Sequence, residues 1–312
     1  MSERWAYLNG EFVPESAAGI SIADRGLIMG ATVTEMTRTF AQQPFRLKAH
    51  LARLYRSLRF LQVDPGLTPA ELQARTLELL HRNVASGEAG MEYGVIYFVT
   101  PGPLAYYADL DPATVRPTVC IHMFPLRWHP YERFFREGVH LVTPSTRHVP
   151  PQCLDPKMKY RSRMHFFLAD REARLADPHA IALLLDLDGN LTETSGANFL
   201  LVRDGAIETP PTRNTLAGVS RDTVFELAGE LDIPVRERDL QPHDAVNADE
   251  AFLSTTPYCL APVTRFNGVP IGDGRPGPVL ARLLMAWSER VGLDIVAQIT
   301  GGDVTAADWL GR

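Results

Sequence analysis

A chain of 312 residues and 34.6 kDa is long enough for two ordinary domains, each with its own buried core. Hydrophobic residues at 45% and charged residues at 22% exclude wholesale disorder and a membrane-embedded chain. The excess of 37 acidic over 31 basic residues, a formal charge of −6, argues against nucleic acid or an anionic membrane as the main partner, because phosphates attract basic surfaces.

The opening "MSERWAYLNGEFVP" lacks the basic-then-apolar run of a signal peptide, and no apolar stretch reaches the ~18 residues of a membrane span. Cys120, Cys153 and Cys259 are odd in number and far apart, without Cys-x-x-Cys or Cys/His ligand spacing. A cytoplasmic protein with reduced thiols and no metal is expected. Alternation in "WAYLNGEFV" and "TVTEMTRTF" predicts antiparallel strands in the first 45 residues. Leu47, Leu51, Leu54 and Leu58 lie four, three and four residues apart, which predicts a helix over 47–62 with one apolar face. Thr68 and Pro69 then suit the cap and first position of a second helix, with Leu72, Leu77, Leu79 and Leu80 on its apolar side. Branched and aromatic residues predict strands at "YGVIYFVT" and "TVCIHMFPL".

Proline and bulky polar groups after Phe124 mark a boundary, giving a small domain at 1–125, a linker at 126–133 and a second domain at 134–312. The second domain begins with a strand, "GVHLVT", and a proline-containing loop. The segment "DPKMKYRSRMHFFLADREA" follows, two lysines ahead of an amphipathic helix. A hairpin-like run with Asp-Gly turns at 188–189 and 204–205 comes next, then helices at about 219–231 and 278–291.

"GDGRPG" at 272–277 has the Gly-x-Gly-x-x-Gly spacing, but it contains Pro276 and does not open a first βαβ unit, so a turn before a helix is expected there. No Gly-x-x-x-x-Gly-Lys-Ser/Thr, His-Glu-x-x-His or Gly-x-Ser-x-Gly stretch occurs. A dispersed set remains. Gly218, Val219 and Ser220 form a helix start whose backbone N–H groups can take a phosphate, and Glu193 is a carboxylate at a strand end among small residues.

Seven segments in order carry a resemblance: "ADRGLIMGATVTEMTRTF", "FRLKAHLARL", "KYRSRMHFFLADREA", "DLDGNLTETSGANFLLV", "TLAGVSRDTV", "AFLSTTPYCLAPV" and "VPIGDGRPGPVLARLL". Over nearly its whole length the chain resembles the fold type IV pyridoxal-phosphate enzymes, which include branched-chain and D-amino-acid aminotransferases and aminodeoxychorismate lyase. The resemblance implies an α+β fold of two domains, a small α/β domain and a larger one with a β-barrel-like core, with the cofactor at their interface and the imine lysine in the larger. It implies a homodimer acting on an amino donor and a keto acid, with pyridoxal 5′-phosphate as cofactor. Such chemistry needs a lysine to hold the cofactor and move a proton, a phosphate site, and a carboxylate that keeps the pyridine nitrogen protonated.

By the same resemblance Lys159 is the imine lysine, since it precedes Glu172 by the family's thirteen residues, while Lys157 is a solvated neighbour. Glu193 matches the carboxylate of the Thr-Glu-x-x-x-x-Asn pattern, and Arg53 matches the phosphate arginine of His-x-x-Arg-Leu. Val219, Ser220 and Thr256 match the remaining phosphate contacts. The chain departs from the family after the lysine, where Tyr160, Arg161, Ser162 and Arg163 stand for Asn or Asn-Tyr, leaving Tyr160 or Arg163 for the cofactor's phenolic oxygen. Thr34 stands where the D-enzymes have a carboxylate-binding tyrosine, and Tyr106 and Ala108 where they have an Arg-x-His pair. Thr34, Arg38, Arg147, Tyr106, Tyr107 and Tyr258 are therefore the substrate-site candidates. An aminotransferase for an amino acid with an apolar side chain is expected. A primary-amine substrate, an aminodeoxychorismate-type lyase releasing pyruvate and a non-catalytic cofactor-binding relative are the alternatives.

Overall fold

The computed structural model describes residues 3–310. The chain forms two compact units, one running to Leu126 and taking back Met158–Ser162, the other made of Arg127–Lys157 and the chain from Arg163 onward.

The first unit contains strands β1 (Trp5–Leu8), β2 (Glu11–Pro14), β3 (Val33–Phe40), β4 (Gln43–Pro44), β5 (Tyr93–Thr100) and β6 (Thr118–Pro125), and helices α1 (Arg25–Ile28), α2 (Leu47–Leu61), α3 (Pro69–Ser86) and α4 (Ala105–Ala108). The strands make one antiparallel sheet in the order β2-β1-β6-β5-β3-β4. Register sets its two faces. Glu35, Tyr97 and Ile121 lie side by side on one, and Met36, Ile96 and His122 on the other. Buried Leu51, Leu54 and Leu58 of α2 and Leu72, Leu79 and Leu80 of α3 form the unit's helical core, each worth about 2 kcal/mol of burial. Tyr97 Oη meets Thr76 Oγ1 of α3 at 2.9 Å, which locates these helices on the Glu35 face. Leu77 is exposed instead of joining them, because it lies five residues from Leu72, off that side of the helix. The expected cap is present: Thr68 and Glu71 bond reciprocally, with Pro69 in the first turn.

Residues 158–162 belong with this unit, whereas the sequence places Lys159 in the C-terminal domain. The reason is backbone pairing. The Thr34 N–H donates to the Lys159 carbonyl at 2.9 Å and the Arg161 N–H to the Thr32 carbonyl at 3.0 Å, around an antiparallel bridge between Val33 and Tyr160. Ser162 Oγ donates to the Gly30 carbonyl at 2.6 Å, and Gly30, at φ +68°, has no room for a side chain, since a Cβ would lie 2.5 Å from that hydroxyl.

The second unit contains helices α5 (His129–Arg136), α6 (Met164–Ala176), α7 (Val219–Glu230), α8 (Pro242–Val246), α9 (Pro278–Val291) and α10 (Ile295–Thr300). Its strands are β7 (Val139–Val142), β8 (Ile181–Ala182), β9 (Asn198–Arg203), β10 (Ala206–Thr209), β11 (Val235–Glu237), β12 (Glu250–Thr255), β13 (Cys259–Phe266) and β14 (Val269–Pro270). The expected linker at 126–133 already contains the start of α5, since Pro130 is tolerated in a helical first turn and Phe135 anchors the helix by stacking on Trp309. The sheet is mixed, in the order β11-β10-β9-β12-β13-β7-β8 with β14 on β13. β9, β12 and β13 are buried almost throughout, as central strands covered on both faces. "GDGRPG" is the turn into α9, where the Glu250 carboxylate accepts the Val279 and Leu280 N–H groups at 2.8 and 3.0 Å, so no dinucleotide loop is formed. Among the described residues no helix is long and apolar enough to cross a membrane.

Candidate active site

In the first unit the chemistry gathers around α2, β3 and the Lys159 segment. Lys159 is half-buried, and its backbone N–H donates to Ser57 Oγ at 3.2 Å, while that hydroxyl donates to the Arg53 carbonyl one turn earlier on α2. Lys157, in the second unit, is exposed, with its ammonium 3.9 Å from Asp155. Arg53 is almost wholly buried. Glu35 holds it through two parallel bonds, Nε to Oε2 at 2.8 Å and Nη2 to Oε1 at 2.6 Å, and His50 Nδ1 approaches the same carboxylate at 3.1 Å. Burial by itself raises the Glu35 carboxyl, but the Arg53 charge and the bonds from Arg53 and His50 overcome it and hold the group well below the carboxylate range. His50 is pushed down from its ordinary value, first by burial, with Arg53 and Lys159 adding to the effect against the pull of Glu35. Glu35 was not a sequence candidate, because a lone glutamate in a strand carries no signature until α2 is packed over it.

In the second unit Glu193 sits on the turn leading into β9. Its Oε2 accepts from Asn198 Nδ2 at 3.1 Å and from the Leu216 N–H at 3.2 Å, and Asn198 Nδ2 also donates to the Leu216 carbonyl at 3.0 Å. Asn198 thereby ties Glu193 to the approach to α7. Gly218, which caps α7, is forced to be glycine, since a Cβ there would collide with Asn198 Oδ1. Val219 and Ser220 are buried in the first turn, where helix N–H groups lack intrahelical acceptors. Thr255 Oγ1 donates to the Gly196 carbonyl, which joins the β12 end and the adjoining Thr256 turn to the same loop. Glu193 is thus tied through Asn198 to Leu216, just ahead of α7, and the end of β12 is tied through Thr255 to the loop at Gly196. Asn198, the asparagine that completes the Thr-Glu motif, is the residue sequence reasoning left without a role.

The substrate-site candidates divide. Thr34 is buried, donates to the Tyr97 carbonyl at 2.8 Å and accepts from Arg161 Nε at 3.2 Å. Arg38 is enclosed at 1% exposure, with Nε on the Thr39 carbonyl and the guanidinium over the Phe40 ring. Tyr106 and Tyr107 are exposed on α4. Tyr258 is buried between the rings of Tyr131 and Phe134 in the second unit, and Arg147 caps the carbonyls of Pro144 and Ser145. Arg163 donates to the Ser195 carbonyl. Met36, Ile96 and Phe98 remain half-buried on the open face of the first sheet, with exposed Arg161 at its edge. Among the described residues no cluster of His, Cys, Asp and Glu could hold a metal ion.

A family model for class IV amino-transferases matches residues 32–266. A Methanocaldococcus jannaschii protein provisionally named a branched-chain-amino-acid aminotransferase is 33% identical over 282 residues, covering 89% of this chain and 93% of that relative. The branched-chain-amino-acid aminotransferase of Escherichia coli (strain K12) is 28% identical, with 91% of each chain covered. The T.th. branched-chain amino acid aminotransferase, solved with pyridoxamine 5′-phosphate, superposes with a TM-score of 0.80 at 28% identity, covering 99% of this chain and 98% of that one. The chain belongs to the class IV aminotransferases, pyridoxal 5′-phosphate-dependent enzymes that move an amino group from an amino acid to a 2-oxo acid.

Proposed function

We propose that this aminotransferase takes an α-amino acid with an apolar, branched side chain as donor, and that it works as a cytoplasmic homodimer. The observation that carries the substrate reading is the open face of the first sheet, where half-buried Met36, Ile96 and Phe98 offer apolar contact and exposed Arg161 adjoins Thr34 at its edge. A side chain without charge suits the first set, and a carboxylate suits a guanidinium. The names of the relatives agree with it.

The residues present fit pyridoxal phosphate by the chemistry of their donors. The chemistry the cofactor would supply when bound is an electron sink for the donor's Cα. Lys159 Nζ is the group that holds the cofactor and carries that proton, and the Ser57 bond to its backbone fixes where the side chain starts. Arg53, aligned by Glu35, supplies cationic N–H donors for the phosphate, and the first turn of α7 with Thr256 supplies neutral ones. Glu193, its own orientation fixed by Asn198 and Leu216, would be the carboxylate that holds the proton of the ring nitrogen.

The dimer reading rests on a second feature. Segments 21–29 and 102–110 are bonded to each other, Arg25 N–H to the Gly102 carbonyl and Leu104 N–H to the Ala23 carbonyl, and together expose Ile22, Leu27, Met29, Tyr106 and Tyr107. Such an apolar cluster suits a second copy of the chain. Free cysteines agree with a reducing compartment.

The test is a half-reaction screen. Holoenzyme without acceptor is mixed with L- and D-branched-chain amino acids, charged amino acids and primary amines, and the cofactor's absorbance is followed. Conversion of the near-visible band to the pyridoxamine band by leucine-like donors, and not by aspartate or simple amines, is expected. A response confined to charged donors or amines overturns the substrate reading, and steady pyruvate release without conversion points to lyase chemistry.

A further inference from the structure

The loop between β7 and α6 is held more firmly than its proline content suggests. Glu172 of α6 accepts from the Ser145 N–H at 2.5 Å and from Ser145 Oγ at 3.0 Å, and the His148 N–H donates to the Leu185 carbonyl at 2.9 Å. These bonds fix His148, which is 4% exposed, between two oxygens. Nδ1 lies 3.0 Å from the Val149 carbonyl, and Nε2 lies 3.7 Å from Glu193 Oε1.

A carbonyl only accepts, so the Nδ1 contact requires a hydrogen on Nδ1. A ring protonated there alone would turn its Nε2 lone pair toward a carboxylate oxygen, with little water to screen the repulsion. A hydrogen on Nε2 as well turns the same contact into attraction. The other Glu193 oxygen already has its two donors in Asn198 and Leu216, so Oε1 is the side on which the carboxylate still needs a partner. We propose that His148 is a positioning residue for Glu193: with Nδ1–H anchored on the Val149 carbonyl, it presents Nε2–H to Oε1 and thereby fixes the orientation of the carboxylate.

Two titratable side chains face His148. Glu193 approaches from the turn before β9, and the His165 ring of α6 stands edge-on with centroids 5.5 Å apart. His165 does not compete for the charge. Burial, helped by His148 and Arg163, brings it down to about 4, and its Nε2 is buried without a hydrogen-bond partner among the described residues.

This inference rests on Glu193 serving the cofactor's ring nitrogen, and the experiment keeps the two apart. Glu193→Gln, His148→Gln and His148→Leu holoenzymes are titrated with pH while the cofactor band is recorded, and pyridoxal phosphate affinity is measured for each apoprotein. Histidine ring-nitrogen chemical shifts are recorded on wild-type apo- and holoprotein. His148→Leu should move the band's midpoint by about one pH unit, a tenfold change in proton affinity, and His148→Gln by less. The wild-type shifts should show a hydrogen on each His148 nitrogen, facing the Val149 carbonyl and Glu193 Oε1. An unmoved midpoint in a folded His148→Leu protein, or a singly protonated His148 ring, overturns the proposal while an altered Glu193→Gln spectrum leaves the Glu193 reading standing. An unaltered Glu193→Gln spectrum overturns both.

Discussion

Lys157 and Lys159 stand two residues apart and live in different surroundings. The first is an exposed ammonium near Asp155, while the second is half-buried on a segment bonded to both β3 and α2. Lys159→Ala should therefore remove the near-visible absorbance and turnover, and Lys157→Ala should keep both; the opposite pattern in an absorbance and activity assay would exchange their roles. Glu35 makes a second prediction at this scale. It is fully buried and pairs with a buried guanidinium, so Glu35→Gln removes the negative charge that holds Arg53. Urea denaturation should report a loss of about 3–5 kcal/mol, accompanied by weaker cofactor binding. A loss below about 1 kcal/mol would mean that Arg53 finds another anion. The pH dependence follows the same cluster. Both Glu35 and His50 are depressed below their ordinary values of 4.5 and 6.5, so each contributes stability that is complete above that value and drains away as pH falls. Stability should begin to fall just below pH 6.5 and fall further below 4.5, and Glu35→Gln should remove the lower of the two losses. Lys159, Arg53 and Glu193 could be singled out as candidates because motifs with fixed spacing contain them. Glu35, Asn198 and His148 could not, since their roles come from neighbours that folding alone brings close.

Elements were legible where a period or a cap marks them. α2 and α3 follow from leucine spacing and the Thr68–Glu71 box, and β5 and β6 from branched and aromatic runs. The bridge of residues 158–162 to β3 was not legible, because one antiparallel bridge between residues 127 positions apart leaves no local pattern. Nor was α5, whose Pro130 reads as a linker residue until its first-turn position is known. The start of α7 supports a prediction that belongs to the element as a whole. Gly218 permits the helix to approach Asn198 and so couples the first turn of α7 to the Glu193 loop. Gly218→Ala should force Asn198 aside, lowering stability by about 1–3 kcal/mol and weakening pyridoxal phosphate binding together with the Glu193-dependent spectrum. Thermal melting and cofactor titration measure both. If phosphate affinity falls and the spectrum does not change, the coupling through Asn198 is absent.

For the molecule as a whole, the order of seven segments made the family legible while each segment alone remained ambiguous. Assembly is a different matter, because exposed apolar residues show as a surface only when two distant segments meet. Ile22 and Tyr106 are 87% and 88% exposed, on the paired segments 21–29 and 102–110. Water contact over such a cluster is unfavourable by roughly 25 cal/mol per Å², which association would relieve. Tyr106 also stands where the D-enzymes carry substrate-binding residues, so its exposure within one chain fits a role completed by a second copy. The expected solution mass is twice 34.6 kDa by light scattering, and Ile22→Asp combined with Tyr106→Asp should shift it toward the monomer. If the site is shared, the monomeric variant should keep its fold by circular dichroism, lose turnover, and regain part of it when mixed with a Lys159→Ala partner whose 21–29 and 102–110 segments are intact. A fully active wild-type monomer would overturn the assembly, and a monomeric variant with undiminished turnover would show that each chain works alone.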